Sequence, residues 1–243
     1  MLKFLKENLK YTNDCIILAT PMVLFIMFLQ FYIDTFQYNL FSVSQYIKFF
    51  LTLWIALSGC FAGWFYMVKK TLQFSKRTYL FDTDRLTALS KLFQCMFKGV
   101  GKFFIHFLGL FSILFLFLLI KSMLVFYIFK TDIKPDLKVL NIVFNTIEFV
   151  LAYWFIYLIP EIVYTYNKTL KSIINSVKKS FISFRQTFRF YILIVAVFLF
   201  LYLAINVTKM FPIVYFLVLL LFYYFILYCV ILIFRLYEKN FIE

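Results

Sequence analysis

Apolar residues run along this chain in long unbroken stretches, not in the alternating or single-stripe patterns of water-soluble elements. Six stretches reach the about 20 residues that a helix rising about 1.5 Å per residue needs to cross a hydrocarbon core about 30 Å thick. They are Cys15 to Ile33, Phe49 to Val68, Phe103 to Ile120, Val139 to Pro160, Phe190 to Val207 and Phe211 to Phe234. None has the two-residue period of a barrel strand, so all six are predicted to be helices. The third is expected to run past Lys121 toward Ile128, the lysine reaching to the outer interface. The first follows Lys3, Lys6 and Lys10 and invites reading as a secretory signal, but it is too long and lacks a small-x-small site after it, so it is expected to be retained. Only Thr208, Lys209 and Met210 separate the last two spans, which predicts a tight antiparallel hairpin.

Between the spans a second pattern appears. Leu86, Leu89, Phe93, Phe97, Val100 and Phe104 pair with Leu170, Ile173, Val177, Phe181, Phe184 and Phe188 at an offset of 84 residues. Steps of three and four place each set on one helical face. Lys91, Lys98 and Lys102 in one copy, and Lys171, Lys178, Lys179 and Arg185 in the other, supply cations. Two amphipathic interfacial helices, about 84–102 and 168–188, are therefore expected, each feeding into a span, with apolar faces among acyl chains and lysines at lipid headgroups.

Composition agrees: 65% of residues are hydrophobic and only 15% charged, more apolar surface than a soluble domain of 243 residues can hide. The fold class expected is an all-α polytopic membrane protein, a single membrane domain over 1–243. The net charge of +14 would suggest nucleic acid in a soluble protein. Here the cations flank spans and act as topology signals and contacts for anionic lipid, so no nucleic-acid partner is expected. Nineteen Lys and Arg fall on the side of the termini and the two long loops against six on the other, which places both termini in the cytoplasm. The richness in Phe, Ile, Tyr, Lys and Asn follows A/T-rich codons and carries no functional weight; with the topology it suggests a bacterial plasma membrane.

Candidate chemistry is sparse. His106 is the single histidine, so histidine-rich metal sites are excluded by counting and no metal or cofactor is expected. It is read as a hydrogen-bonded structural residue. Cys15, Cys60, Cys95 and Cys229 have no C-x-x-C spacing and are assigned to apolar packing. No phosphate loop, nucleophile elbow or metalloprotease helix is found. Glu148, deep in span four, shares a helical stripe with Asn141, Asn145 and Ala152. Ser58 and Ser112 are placed at matching depth, and these residues are expected to form a buried polar cluster; Lys121 is judged too near the outer end to pair with Glu148. Ala56, Gly59 and Gly63 form a small-residue stripe for close helix packing, most simply within the chain. Pro21 and Pro160 are candidate kinks, and Glu161 is read as an interfacial residue that pairs with the basic loop.

The segments Gly59-Cys-Phe-Ala-Gly63, Phe97-Lys-Gly-Val-Gly-Lys-Phe-Phe104, and Pro160-Glu161 followed by Leu170 to Phe188 occur in an order that resembles six-helix families of uncharacterised bacterial membrane proteins related to the membrane domain of glycerophosphoryl diester phosphodiesterases. The resemblance covers roughly residues 50 to 210 and implies a fold, with little about activity. In those phosphodiesterases the chemistry belongs to a soluble barrel with a histidine and paired acids on a metal, and these 243 residues hold no stretch of that kind.

The function expected is non-catalytic: organising partners or lipids at the cytoplasmic leaflet. The partners expected are membrane lipids, above all anionic ones, with a protein partner or a second copy as a further option. The competing reading is a permease-type transport subunit with a polar path around Glu148.

Overall fold

The computed structural model describes residues 2–37, 43–75, 85–130 and 137–242. Every element among them is helical: α1 (Leu2–Asp14), a 3-10 turn (Ile16–Leu18), α2 (Ala19–Gln37), α3 (Val43–Ser75), α4 (Arg85–Lys130), α5 (Leu137–Trp154), α6 (Leu158–Thr165), α7 (Thr169–Ile182), α8 (Phe184–Thr208) and α9 (Pro212–Phe241). Six helical stretches are long and apolar enough to cross a membrane: Ile16–Thr35, Ile47–Gln73, Ser90–Leu124, Ile142–Thr165, Phe184–Thr208 and Pro212–Phe241. The chain is an all-α, multi-pass membrane protein.

Prolines mark helix starts, not kinks. Pro21, Pro160 and Pro212 each lie in the first turn of a helix, where a missing N–H costs nothing. The 3-10 turn before α2 and the break at 155–157 before α6 are the consequences.

Helices α3 and α4 form the longest hairpin, and two glycines set how close they come. A Cβ on Gly99 would meet Tyr66 Cβ at 2.6 Å, the Ala62 carbonyl at 3.0 Å and Gly63 Cα at 3.2 Å. A Cβ on Gly63 would meet Met96 Cγ at 2.5 Å. The small-residue stripe thus packs within the chain at Gly63, whereas a Cβ on Gly59 would meet only Phe104, at 4.0 Å. Ala56 is half-buried on the same helix.

Burial is uneven along the membrane normal. Phe65, Met67, Leu72, Leu92, Phe103, Ile162, Leu227 and Phe234 form the core at the end of the bundle where the cations gather. Toward the other end the long helices show Phe31, Phe50, Leu116, Ile142, Phe200 and Phe216 on the surface, the outside that lipid requires.

The two predicted amphipathic stretches take different forms. The first is no separate element: α4 continues unbroken from Arg85 through span three for 46 residues, about 69 Å at 1.5 Å per residue. The second is a helix of its own, α7, which ends at Ser183 (φ −99°, ψ 22°) before α8 begins.

A third basic helix escaped the sequence reading. The N-terminal residues form α1, which lies along α9: the Asn8 side chain donates to the Tyr228 carbonyl at 3.3 Å and the Tyr224 hydroxyl donates to Asn13 Oδ1 at 2.5 Å. Its inward face carries Asn8 and Thr12, both fully buried, and these polar letters masked the amphipathic pattern.

Candidate functional site

The polar centre of the molecule is built around the short helix α6. The break at 155–157 frees the Trp154 carbonyl, and two serines of α7 satisfy it: Ser176 Oγ donates at 3.0 Å and Ser180 Oγ at 3.1 Å. The Tyr153 hydroxyl returns a bond to the Ser180 carbonyl at 2.9 Å, and Tyr157 and Thr187 share one at 2.7 Å. Hydroxyls thereby replace the ladder bonds that the break removes, as backbone satisfaction away from water demands.

Glu161 then projects from α6 into the core. Its carboxylate receives Lys179 Nζ at 2.6 Å on Oε2, which also accepts the Tyr237 hydroxyl. Oε1 accepts Asn175 Nδ2 at 2.8 Å, with Asn167 and Thr165 each at 3.4 Å. Donors saturate the carboxylate, which has only about four lone-pair sites, so it has no capacity left for a ligand. Its role is to tie α6, α7 and α9 together. The sequence reading had Glu161 pairing with the basic loop, which holds, but at an interface; it is in fact buried. Lys179, assigned to lipid headgroups, turns inward instead, because the ammonium finds a fixed carboxylate and the faces of Tyr237 and Phe241 at 4.4 and 4.9 Å.

A second cation closes the other end of α6. Lys69, from α3, is buried and donates to the Val163 carbonyl at 2.8 Å, one of the carbonyls a helix C-terminus leaves open. Its ammonium also lies over the rings of Tyr164 and Tyr166 at 4.7 and 4.9 Å. Tyr166 caps α6 in the left-handed region (φ 56°), a strained state for a residue with a side chain. Stacking on Phe103 at 5.1 Å holds it there.

The cluster expected around Glu148 does not form. Ser58 donates to the Trp54 carbonyl at 2.8 Å and Ser112 to the Leu108 carbonyl at 2.7 Å, each within its own helix. Asn145 is exposed, and the Asn141 side chain lies outside the described residues. Glu148 instead pairs with Lys121. The reason is height along the facing helices. Lys121 lies nine residues before the end of α4 at Lys130 and Glu148 eleven after the start of α5 at Leu137, about 14 and 17 Å from those ends and within reach of two long side chains. Ser58 and Ser112 lie about 23 and 27 Å from the corresponding ends of α3 and α4, too deep to meet them.

Of the predicted headgroup cations, Lys91, Lys98, Lys102, Lys171, Lys178 and Arg185 are exposed. Exposed Phe97 accompanies those on α4, and exposed Leu170, Ile174, Phe181 and Ile182 accompany those on α7. The inward face of α7 is Ser172, Ser176 and Ser180, all buried, so its apolar residues point away from the protein. The inward positions of the two stretches keep the same offset of 84, Leu92 with Ser176 and Phe103 with Thr187.

The remaining candidates are quiet. Among the described residues no group of three potential metal ligands exists. His106 Nδ1 is buried without a hydrogen-bond partner, where a bonded histidine was expected; Phe103 packs edge-on against its ring at 6.2 Å. Cys15 is 1% exposed, which suits a packing role. Comparison with known protein families, curated proteins and solved structures finds no match to this chain.

Proposed function

We propose that this protein is a non-catalytic membrane organiser that gathers anionic phospholipid around the basic end of its helix bundle, at the cytoplasmic leaflet of a bacterial plasma membrane. The observation that carries this reading is the orientation of α7. Its serines are locked onto the Trp154 carbonyl, so Leu170, Ile174 and Phe181 must face outward beside Lys171 and Lys178. That is the arrangement of an element that sets apolar residues among acyl chains and ammonium groups at phosphate level. An apolar cavity of about 280 Å³ between α2 and α3, lined by Pro21, Met22, Phe25, Cys60 and Trp64, adds a place for an acyl chain on the same molecule. The competing transport reading gains nothing from Glu148, which Lys121 neutralises beside an exposed Asn145.

The test is boundary-lipid selectivity. The protein is reconstituted in phosphatidylcholine vesicles with spin-labelled phosphatidylglycerol or spin-labelled phosphatidylcholine, and the motionally restricted fraction is read. Each surface cation attracts anionic lipid by about 1 kcal/mol. Several-fold selectivity for the anionic label at low salt, reduced in a Lys98→Gln/Lys171→Gln/Lys178→Gln variant, is expected. Equal restriction of both labels at low salt would remove the reading.

A further inference from the structure

Away from the centre on α6, the structure holds a cavity of about 300 Å³ between α1, α8 and α9, lined by Phe4, Arg185, Gln186, Arg189, Phe190 and Lys239. Its cations come from two helices. Arg185 and Arg189 stand one turn apart at the start of α8, and Lys239 lies in the last turn of α9. Phe4 of α1 forms an aromatic floor, packed on Phe190 at 5.7 Å, with the Lys239 ammonium 5.2 Å from its ring centroid and the Arg235 guanidinium at 4.9 Å.

Among the described residues no carboxylate answers this charge. The nearby acids are committed elsewhere: Glu7 faces Arg235 at 3.7 Å, Glu161 holds Lys179, and Glu238 is buried and accepts the Tyr164 hydroxyl at 2.5 Å. Among the described residues Arg185, Arg189 and Lys239 form no ion pair, so three like charges share one small cavity. Such an arrangement is stable when an anion with several oxygens lies between the cations, and guanidinium forks match phosphate oxygens in pairs. The start of α8 adds the positive end of a helix dipole. Exposed Ile182 and Phe184, just before Arg185 along the chain, supply the apolar contact that a lipid, unlike a free ion, would use.

We propose that this pocket is a discrete binding site for the phosphate of an anionic phospholipid headgroup, held by Arg185, Arg189 and Lys239 over the Phe4 ring. The inference rests on the lipid-organising reading and sharpens it from a diffuse attraction to one saturable site.

Its test uses the full chain in phosphatidylcholine nanodiscs containing phosphatidylglycerol, with native mass spectrometry reading how many phosphatidylglycerol molecules stay bound on release. The wild type should retain one. An Arg189→Gln/Lys239→Gln variant should hold it about a hundredfold more weakly, about tenfold for each of two charge-assisted hydrogen bonds lost. The Lys171→Gln/Lys178→Gln variant should keep it. Inorganic phosphate should not displace it at concentrations matching the lipid; equal displacement would assign the pocket to free phosphate and overturn the lipid assignment. Unchanged retention in Arg189→Gln/Lys239→Gln, with boundary selectivity intact, would remove the pocket and leave the broader reading standing. Absence of boundary selectivity in the wild type would remove the broader reading first. An unchanged melting temperature in each variant shows that folding is not what changed.

Discussion

Lys179–Glu161 and Lys121–Glu148 are the same pair of side chains placed in opposite surroundings. Glu161 is 1% exposed and accepts from five side chains, four on three helices and Asn167 from the loop before α7; Glu148 is 43% exposed and among the described residues pairs with Lys121 alone. A charge taken out of water is costly unless its partner and further hydrogen bonds replace the lost solvation. At the basic end of the bundle that condition is met, and the pair fixes how α6, α7 and α9 meet. At the other end the pair is a partly exposed local neutralisation, and little else depends on it. Depth and number of donors, more than the presence of a charge pair, separate an architectural lock from a surface contact.

The difference can be broken from the strong side first. Glu161→Gln should leave Lys179 without its counter-charge and destabilise the protein by about 3 kcal/mol, the low end for a stranded buried charge, because Lys179 keeps 21% of its side chain exposed. Reversible unfolding in mixed micelles measures it, and a loss under about 1 kcal/mol would place Glu161 in the same class as Glu148. Adding Lys179→Met to Glu161→Gln should restore about half of the loss, since removing both charges removes the penalty with the attraction; no recovery would mean that the loss came from the Asn175 and Tyr237 bonds alone. Ser180→Ala should cost about 1 kcal/mol through the Trp154 carbonyl, less than a fully orphaned acceptor because Ser176 still donates to it. Glu148→Gln should change stability by less than about 1 kcal/mol, Lys121 being 30% exposed and long enough to carry its ammonium toward the interface. A larger loss from Glu148→Gln than from Glu161→Gln would invert the comparison.

Span number, helical class and the hairpin of α8 and α9 were legible because long apolar runs follow directly from hydrocarbon thickness. The Gly63 contact was legible as well, since small residues mark close approach. The Glu148 cluster was misplaced because Lys121 was set at the outer end of span three, whereas α4 runs nine residues beyond it to Lys130 and brings it to the height of Glu148. The inward faces of α1 and α7 were hidden for a different reason. Hydrophobic periodicity was read as setting the apolar face of the 168–188 stretch among acyl chains, but it does not mark the opposite, polar face as a protein contact. Asn8, Thr12, Ser172, Ser176 and Ser180 fill the protein side. The hub on α6 had one visible signal, a proline followed at once by a carboxylate near the end of an apolar run. Nothing in sequence spacing identifies Tyr237, 76 residues away, as its partner.

The most direct measurement is affinity purification of the tagged chain from native membranes in mild detergent, with mass spectrometry of the lipids and proteins retained. A membrane organiser of this kind should come away with anionic phospholipid enriched over the bulk membrane and with no stoichiometric nucleotide-hydrolysing subunit. Recovery of such a subunit, with lipids in bulk proportion, would contradict it and return attention to transport.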